Sequence, residues 1–262
     1  MPRSHSRRGR PVRNALAGLW VALAVAACAQ APVTGRQQLI LLPESQVSQM
    51  GLAAYEQIKE EKRVSRDPEL NEMVQRVGRR IAEVSPHPDW DWEFTVFEDP
   101  EPNAFALPGG KVGVHSGLFK VAKNEAQLAA VIGHEVAHAI ARHGAERMSQ
   151  GLLAQGLGEI AVGTGVNPQV VDLAAQAATL GVILPYSRTQ EAEADHIGLL
   201  YMAQAGYDPR EAINLWQNFE QLGGDRPPEF LSTHPAPGTR IERLQEMMPE
   251  ALEVYERSRR QQ

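Results

Sequence analysis

The chain has 262 residues, a formal net charge of −6, and 43% hydrophobic against 22% charged residues, the balance of an ordinary globular protein with enough apolar material for one large domain or two small ones. The acidic balance argues against nucleic acid as a partner. A single cysteine, Cys28, excludes an internal disulfide.

Arg3, Arg7, Arg8, Arg10 and Arg13 make a basic opening, and Ala15 to Ala27 an apolar run too short to span a bilayer, which together read as a targeting segment. It ends in Val25-Ala26-Ala27-Cys28, which resembles a bacterial lipobox. On that resemblance residues 1–27 are a signal peptide and Cys28 is the lipidation site. Residues 28–42 are then a lipid-anchored tether and residues 43–262 the functional domain. Ala29 rather than Asp after Cys28 favours, by the same resemblance, the periplasmic face of the outer membrane.

From Pro43 the pattern turns helical, with Val47, Met50, Leu52, Tyr55 and Ile58 as a broad apolar stripe. A second amphipathic helix from about Pro68 offers Leu70, Met73, Val74, Val77 and Ile81 to the core. Residues 92–97 alternate as a half-buried strand, and residues 103–114 read as two strands joined by a Pro108-Gly109-Gly110 turn. Asn124, with Gln127 three positions on, suits the N-cap of the next helix, which is expected to run to Arg142 and His143.

That helix carries His134-Glu135-Val136-Ala137-His138. Residues four apart share a helical face, so His134 and His138 can offer two imidazole nitrogens to one metal ion. Glu135 sits beside the metal as the carboxylate that takes a proton from water. An extended HExxHxxGxxH pattern would need Gly at 141 and His at 144, where Ala141 and Gly144 stand. The remaining common source of a third ligand is Glu from a later helix, and Glu191 with Asp195 on the same face fits. Glu191 would bind metal and Asp195 would accept a hydrogen bond from a ligand histidine. Glu193 is expected to be solvated or salt-bridged, and His143 to be a helix C-terminal residue suited to the dipole rather than a ligand. The Gly- and Ala-rich residues 149–185 read as a helical hairpin over the site, and Tyr186 as a packed aromatic or an oxyanion donor.

These motifs, the Asn103-Ala104-Phe105-Ala106-Leu107-Pro108-Gly109-Gly110 segment before them, and a Ser232-Thr233-His234-Pro235 segment followed by Arg240 resemble the M48 family of zinc metalloproteases over about residues 35–250, most closely its bacterial envelope lipoproteins. The resemblance implies an α+β, mainly α gluzincin fold with a small sheet beside the HExxH helix. It also implies one Zn2+ per chain held by His134, His138 and Glu191, with Glu135 as general base. Val112, Gly113, Val114 and His115 belong either to a strand edge that receives substrate or to an ordinary hairpin. His234 would occupy the open coordination position or steady the oxyanion when displaced, and Arg240 would pair with a ligand carboxylate or with the oxyanion. The expected function is a zinc metalloendopeptidase acting on misfolded or stalled envelope proteins, anchored by its lipid and working beside outer-membrane assembly machinery. The alternative is a chaperone or assembly factor for outer-membrane proteins with a latent metal site.

Overall fold

The structure, a computed structural model, describes residues 28–31, 33–162, 186–222, 228–234 and 239–260. The expected signal peptide, the Cys28 side chain and residues 163–185 of the expected helical hairpin lie outside the described residues.

Residues 28–42 are not a loose tether. Strands β1 (Cys28–Gln30) and β2 (Gln37–Leu39) pair antiparallel, from Cys28 opposite Leu39 to Gln30 opposite Gln37. Ala31 is buried, and the Leu41 amide donates to Ser149 Oγ at 2.9 Å, so the segment is fixed to the body of the protein.

Helix α1 (Glu44–Glu61) buries Val47, Gly51, Ala54 and Tyr55, an i, i+4, i+7, i+8 face. Leu52, expected in the stripe, lies one step round from that face and is 46% exposed. Helix α2 (Pro68–Glu83) starts at Asp67, whose carboxylate accepts from the Glu69 and Leu70 amides, and it buries Val74, Val77 and Ile81. A cap of this kind is worth about 1 kcal/mol.

The main sheet corrects one expectation. Strand β3 (Glu93–Phe97), β4 (Ala104–Leu107) and β5 (Lys111–His115) lie in the order β3-β5-β4. The β4–β5 hairpin turns through Gly109 and Gly110, both at φ +85°, as the Pro-Gly-Gly sequence predicts. Strand β3 then adds parallel to β5 on its other side. Val112, Gly113, Val114 and His115 are therefore in the central strand, fully paired and buried, and cannot receive a substrate backbone. The two edge strands are β3, which takes an isolated antiparallel bridge from Val64 to Phe97, and β4, whose outer edge is free among the described residues.

Helix α3 (Glu125–Ile140) begins at Asn124, whose side chain accepts from the Gln127 amide at 2.8 Å. It stops at Ile140, short of the expected end: Arg142 adopts φ 58° and His143 begins helix α4 (His143–Val162). Helix α5 (Arg188–Gln204) opens with a capping box between Ser187 and Gln190. Helices α6 (Glu211–Gln221), α7 (Glu229–Thr233) and α8 (Arg240–Arg259) complete the described chain. The fold is mainly α with a small sheet beside α3, as expected. Buried residues of α2, β3, β4, β5, α3, α5, α6 and α8 form one core around α3. Among the described residues no helix is long and apolar enough to cross a membrane.

Helices α3 and α5 pack at backbone contact. A Cβ on Gly133 would lie 2.8 Å from Gly198 O, and one on Gly198 would lie 2.7 Å from His134 N. Only glycine at both positions allows this approach, and it brings the residues on α5 within reach of those on α3.

Candidate metal centre

His134, His138, Glu191 and His234 each present one ligand atom, and these atoms lie within 4.8 Å of one another. His134 Nε2 stands 3.0 Å from His138 Nε2, 3.2 Å from His234 Nδ1 and 3.4 Å from Glu191 Oε2. Glu191 Oε1 stands 3.3 Å from His138 Nε2 and 3.1 Å from His234 Nδ1. Donors about 2.0–2.1 Å from a tetrahedral zinc are about 3.3–3.4 Å apart, so the observed separations fit that ion. Three imidazoles and one carboxylate, all buried, are also the donor chemistry that zinc prefers. The cluster is able to hold one metal ion.

The helical period explains the pair on α3, one turn apart, and the register of α5 places Glu191 opposite them. His234 arrives differently, at the end of α7, where its ring stacks on Phe230 with centroids 4.6 Å apart. The Tyr186 amide donates to Thr233 O, and the Tyr186 ring stacks on His138 at 3.7 Å, so the segment leading into α5 and the residue before His234 are tied together. Tyr186 is thus a packed aromatic, with the Arg147 guanidinium on its other contact face at 3.6 Å. Burial pushes its hydroxyl up to about 12.

Asp195 lies behind His134, its Oδ1 3.1 Å from Nδ1. Arg240, 2% exposed, donates from Nε to Asp195 Oδ1 at 3.0 Å and from Nη2 to Glu191 Oε2 at 3.1 Å, with its guanidinium over Trp216. Of the two partners considered for Arg240, the structure therefore shows the carboxylates. Burial alone would raise the Asp195 and Glu191 pKa values. The Arg240 charge and the His134 hydrogen bond reverse this for Asp195, and contacts to His134, His138 and His234 hold Glu191 well below the usual carboxylate range.

Glu135 is 1% exposed, and neither of its carboxylate oxygens finds a hydrogen-bond partner among the described residues. Its Oε1 faces His234 Nε2 at 3.4 Å. Burial raises its pKa, opposed by His234 and His134. A buried carboxylate held free of the ligand cluster is what a proton acceptor requires.

The cleft in front of Glu135 is lined by Asn103, Ala104, Phe105, Ala106, Tyr186, Thr233 and His234. Strand β4 thus lines the site, while residues 112–115, open in sequence between a substrate edge and an ordinary hairpin, lie in the strand behind it.

On the far side of His138 one expectation changes and another is decided. His143 does not close α3 but begins α4, and it is fully buried, with Nδ1 2.8 Å from His138 Nδ1 and Nε2 3.0 Å from Glu193 Oε2. Glu193 is salt-bridged, to Arg36 at 2.7 Å, and is not solvated. Nothing in local periodicity signals this contact, because it depends on the break between helices at Arg142. Gly133 and Gly198 were also silent in the sequence, since a glycine inside a helical pattern does not reveal which backbone it meets.

The sequence profile of Peptidase family M48 matches residues 68–248. Mitochondrial metalloendopeptidase OMA1 of Schizosaccharomyces pombe is 41% identical over 184 residues, covering 68% of this chain and 53% of the relative. Metalloendopeptidase OMA1, mitochondrial, of Homo sapiens is 33% identical over 245 residues, 86% of this chain and 47% of the relative. Beta-barrel assembly-enhancing protease of Escherichia coli is 29% identical over 225 residues, 80% of this chain and 46% of the relative. The chain spans about half the length of these relatives.

Proposed function

The chain belongs to peptidase family M48, and on that premise we propose that it is a zinc metalloendopeptidase of the bacterial cell envelope that cleaves misfolded or stalled envelope proteins. The observation that carries the reading is the buried His134, His138, Glu191 and His234 cluster with the unpartnered carboxylate of Glu135 beside it. In this proposal His134, His138 and Glu191 are the resident ligands, Asp195 fixes the tautomer of His134, and Arg240 keeps both carboxylates charged. A zinc ion held there would supply Lewis acidity that polarises the scissile carbonyl and makes a water acidic enough to deprotonate near neutral pH. Glu135 accepts that proton and returns it to the leaving amine. The free edge of Ala104–Leu107 holds the substrate backbone as an added strand.

The OMA1 relatives are named as mitochondrial and the Escherichia coli relative for β-barrel assembly. The lipobox-like Val25-Ala26-Ala27-Cys28 supports the bacterial envelope, with acylated Cys28 anchoring the protein at the periplasmic face of the outer membrane. Proximity to outer-membrane assembly machinery is the partnership this location favours.

His234 Nδ1 is the fourth donor of the cluster, 3.2 Å from His134 Nε2 and 3.1 Å from Glu191 Oε1, and it would compete there with substrate or water. A protein of which only a minor fraction has His234 displaced is slowed by that fraction. His234→Ala is accordingly expected to raise casein cleavage by about tenfold with zinc still bound. Unchanged or lower cleavage in the zinc-loaded variant would remove His234 from the role of plug. The same closed geometry favours a second reading, an assembly chaperone whose metal site is latent. That reading gains if Glu135→Gln protein still supports outer-membrane integrity.

A further inference from the structure

The hydrolysis described above uses neither Arg36, Glu193 nor His143, yet these groups form a continuous path, from the half-buried Arg36 through buried Glu193 and His143, to a metal ligand. Arg36 sits in the turn between β1 and β2. Its Nη1 and Nη2 donate to the two oxygens of Glu146 at 2.8 and 2.7 Å, and its Nε donates to Glu193 Oε2 at 2.7 Å. Thr34 Oγ1 donates to the other oxygen of Glu193, and Gln190 Nε2 donates to Glu146 Oε2 at 2.9 Å. Glu193 Oε2 in turn faces His143 Nε2 at 3.0 Å, and His143 Nδ1 faces His138 Nδ1 at 2.8 Å. His143, Glu193, Glu146 and His138 are all at most 5% exposed.

The proton positions along this path follow from its far end. A carboxylate can only accept, so Glu193 requires the proton of neutral His143 to lie on Nε2. His143 Nδ1 is then a bare acceptor, and the short contact to His138 needs a proton on His138 Nδ1. That leaves His138 Nε2 bare and aimed at the other ligand atoms. At His134 the same result is reached in one step fewer: Arg240 holds Asp195, and Asp195 accepts from His134 Nδ1. Each ligand histidine thus has an arginine-held carboxylate behind it, one in direct contact and one through a second histidine.

Resting on the metal reading above, we infer that His143, Glu193 and Arg36 are positioning residues for the metal site, through which the N-terminal hairpin fixes the tautomer and ring orientation of His138. The hairpin is then part of the active-site framework and not only a link to an anchor.

The test is the zinc dissociation constant of the full-length chain, stripped of metal and titrated against a competing chelator, in wild type, His143→Leu, His143→Asn and Arg36→Ala. Loss of a residue of this kind behind a ligand weakens metal binding roughly 10- to 100-fold, and that is the expected loss for His143→Leu. His143→Asn, whose amide oxygen can take the place of Nδ1, is expected to restore most of it, and Arg36→Ala to weaken binding by a smaller factor. A second measurement needs no variant: in zinc-loaded wild type, nitrogen-15 spectra of labelled histidine should show His143 protonated on Nε2 and His138 on Nδ1. Equal zinc affinity in all four proteins, equal losses in His143→Leu and His143→Asn, or a proton on His143 Nδ1 overturns the inference and leaves the metal reading standing. Failure of wild type itself to bind zinc overturns both.

Discussion

Glu135→Gln is expected to lower peptide hydrolysis by roughly 10²- to 10⁴-fold, the usual contribution of a positioned general base, while the chain still binds one zinc ion. The separation of the two effects follows from geometry. Glu135 is on α3 between the two histidines, but its oxygens face His234 and the β4 cleft rather than joining the cluster of ligand atoms. Glutamine has the same shape, so His134, His138 and Glu191 stay in place, and it cannot take up a proton. Metal analysis and casein cleavage on the same preparation check both halves. Full cleavage by the zinc-loaded variant would remove Glu135 from the mechanism.

Gly198→Ala is expected to have the second largest effect, and on a different quantity. The added methyl would lie 2.7 Å from His134 N and 2.8 Å from Gly133 C, both backbone atoms of α3. Backbone in the middle of a buried helix cannot yield as a flexible side chain does, so α3 and α5 must separate. Overpacking of this kind costs about 1–3 kcal/mol. The separation also moves Glu191 and Asp195 away from His134 and His138. The zinc-free protein should therefore melt lower, and zinc affinity should fall by at least about tenfold, in line with losses when ligand support is disturbed. Wild-type zinc affinity in Gly198→Ala would show that the α3–α5 approach does not set the ligand geometry.

The centre of the site was legible because it is written in one period. His134 and His138 on α3, and Glu191 and Asp195 on α5, are four residues apart, and that spacing survives any packing of the helices. The β4–β5 hairpin was legible from its Pro108-Gly109-Gly110 turn. Which of its strands forms the edge was not, because alternation along a strand does not say on which side a third strand adds. Strand β3 joined β5, and residues 112–115 became central. The hairpin of residues 28–39 was hidden for another reason. Arg36 is held by Glu146 and Glu193, 110 and 157 residues away, and a polar segment fixed by distant buried carboxylates reads locally as a linker. The end of α3 was similarly silent: Ala141 and Arg142 carry no glycine or proline signal, yet the left-handed turn at Arg142 is what carries His143 back to His138.

The most direct test of the central claim is a zinc titration of the metal-stripped full-length chain with casein as substrate, run in parallel on wild type and His234→Ala. Cleavage is expected to rise with added zinc, to level at one equivalent per chain, and to be faster in His234→Ala. Uptake of one equivalent of zinc with no cleavage by either protein would contradict a peptidase and leave the assembly-chaperone reading in its place.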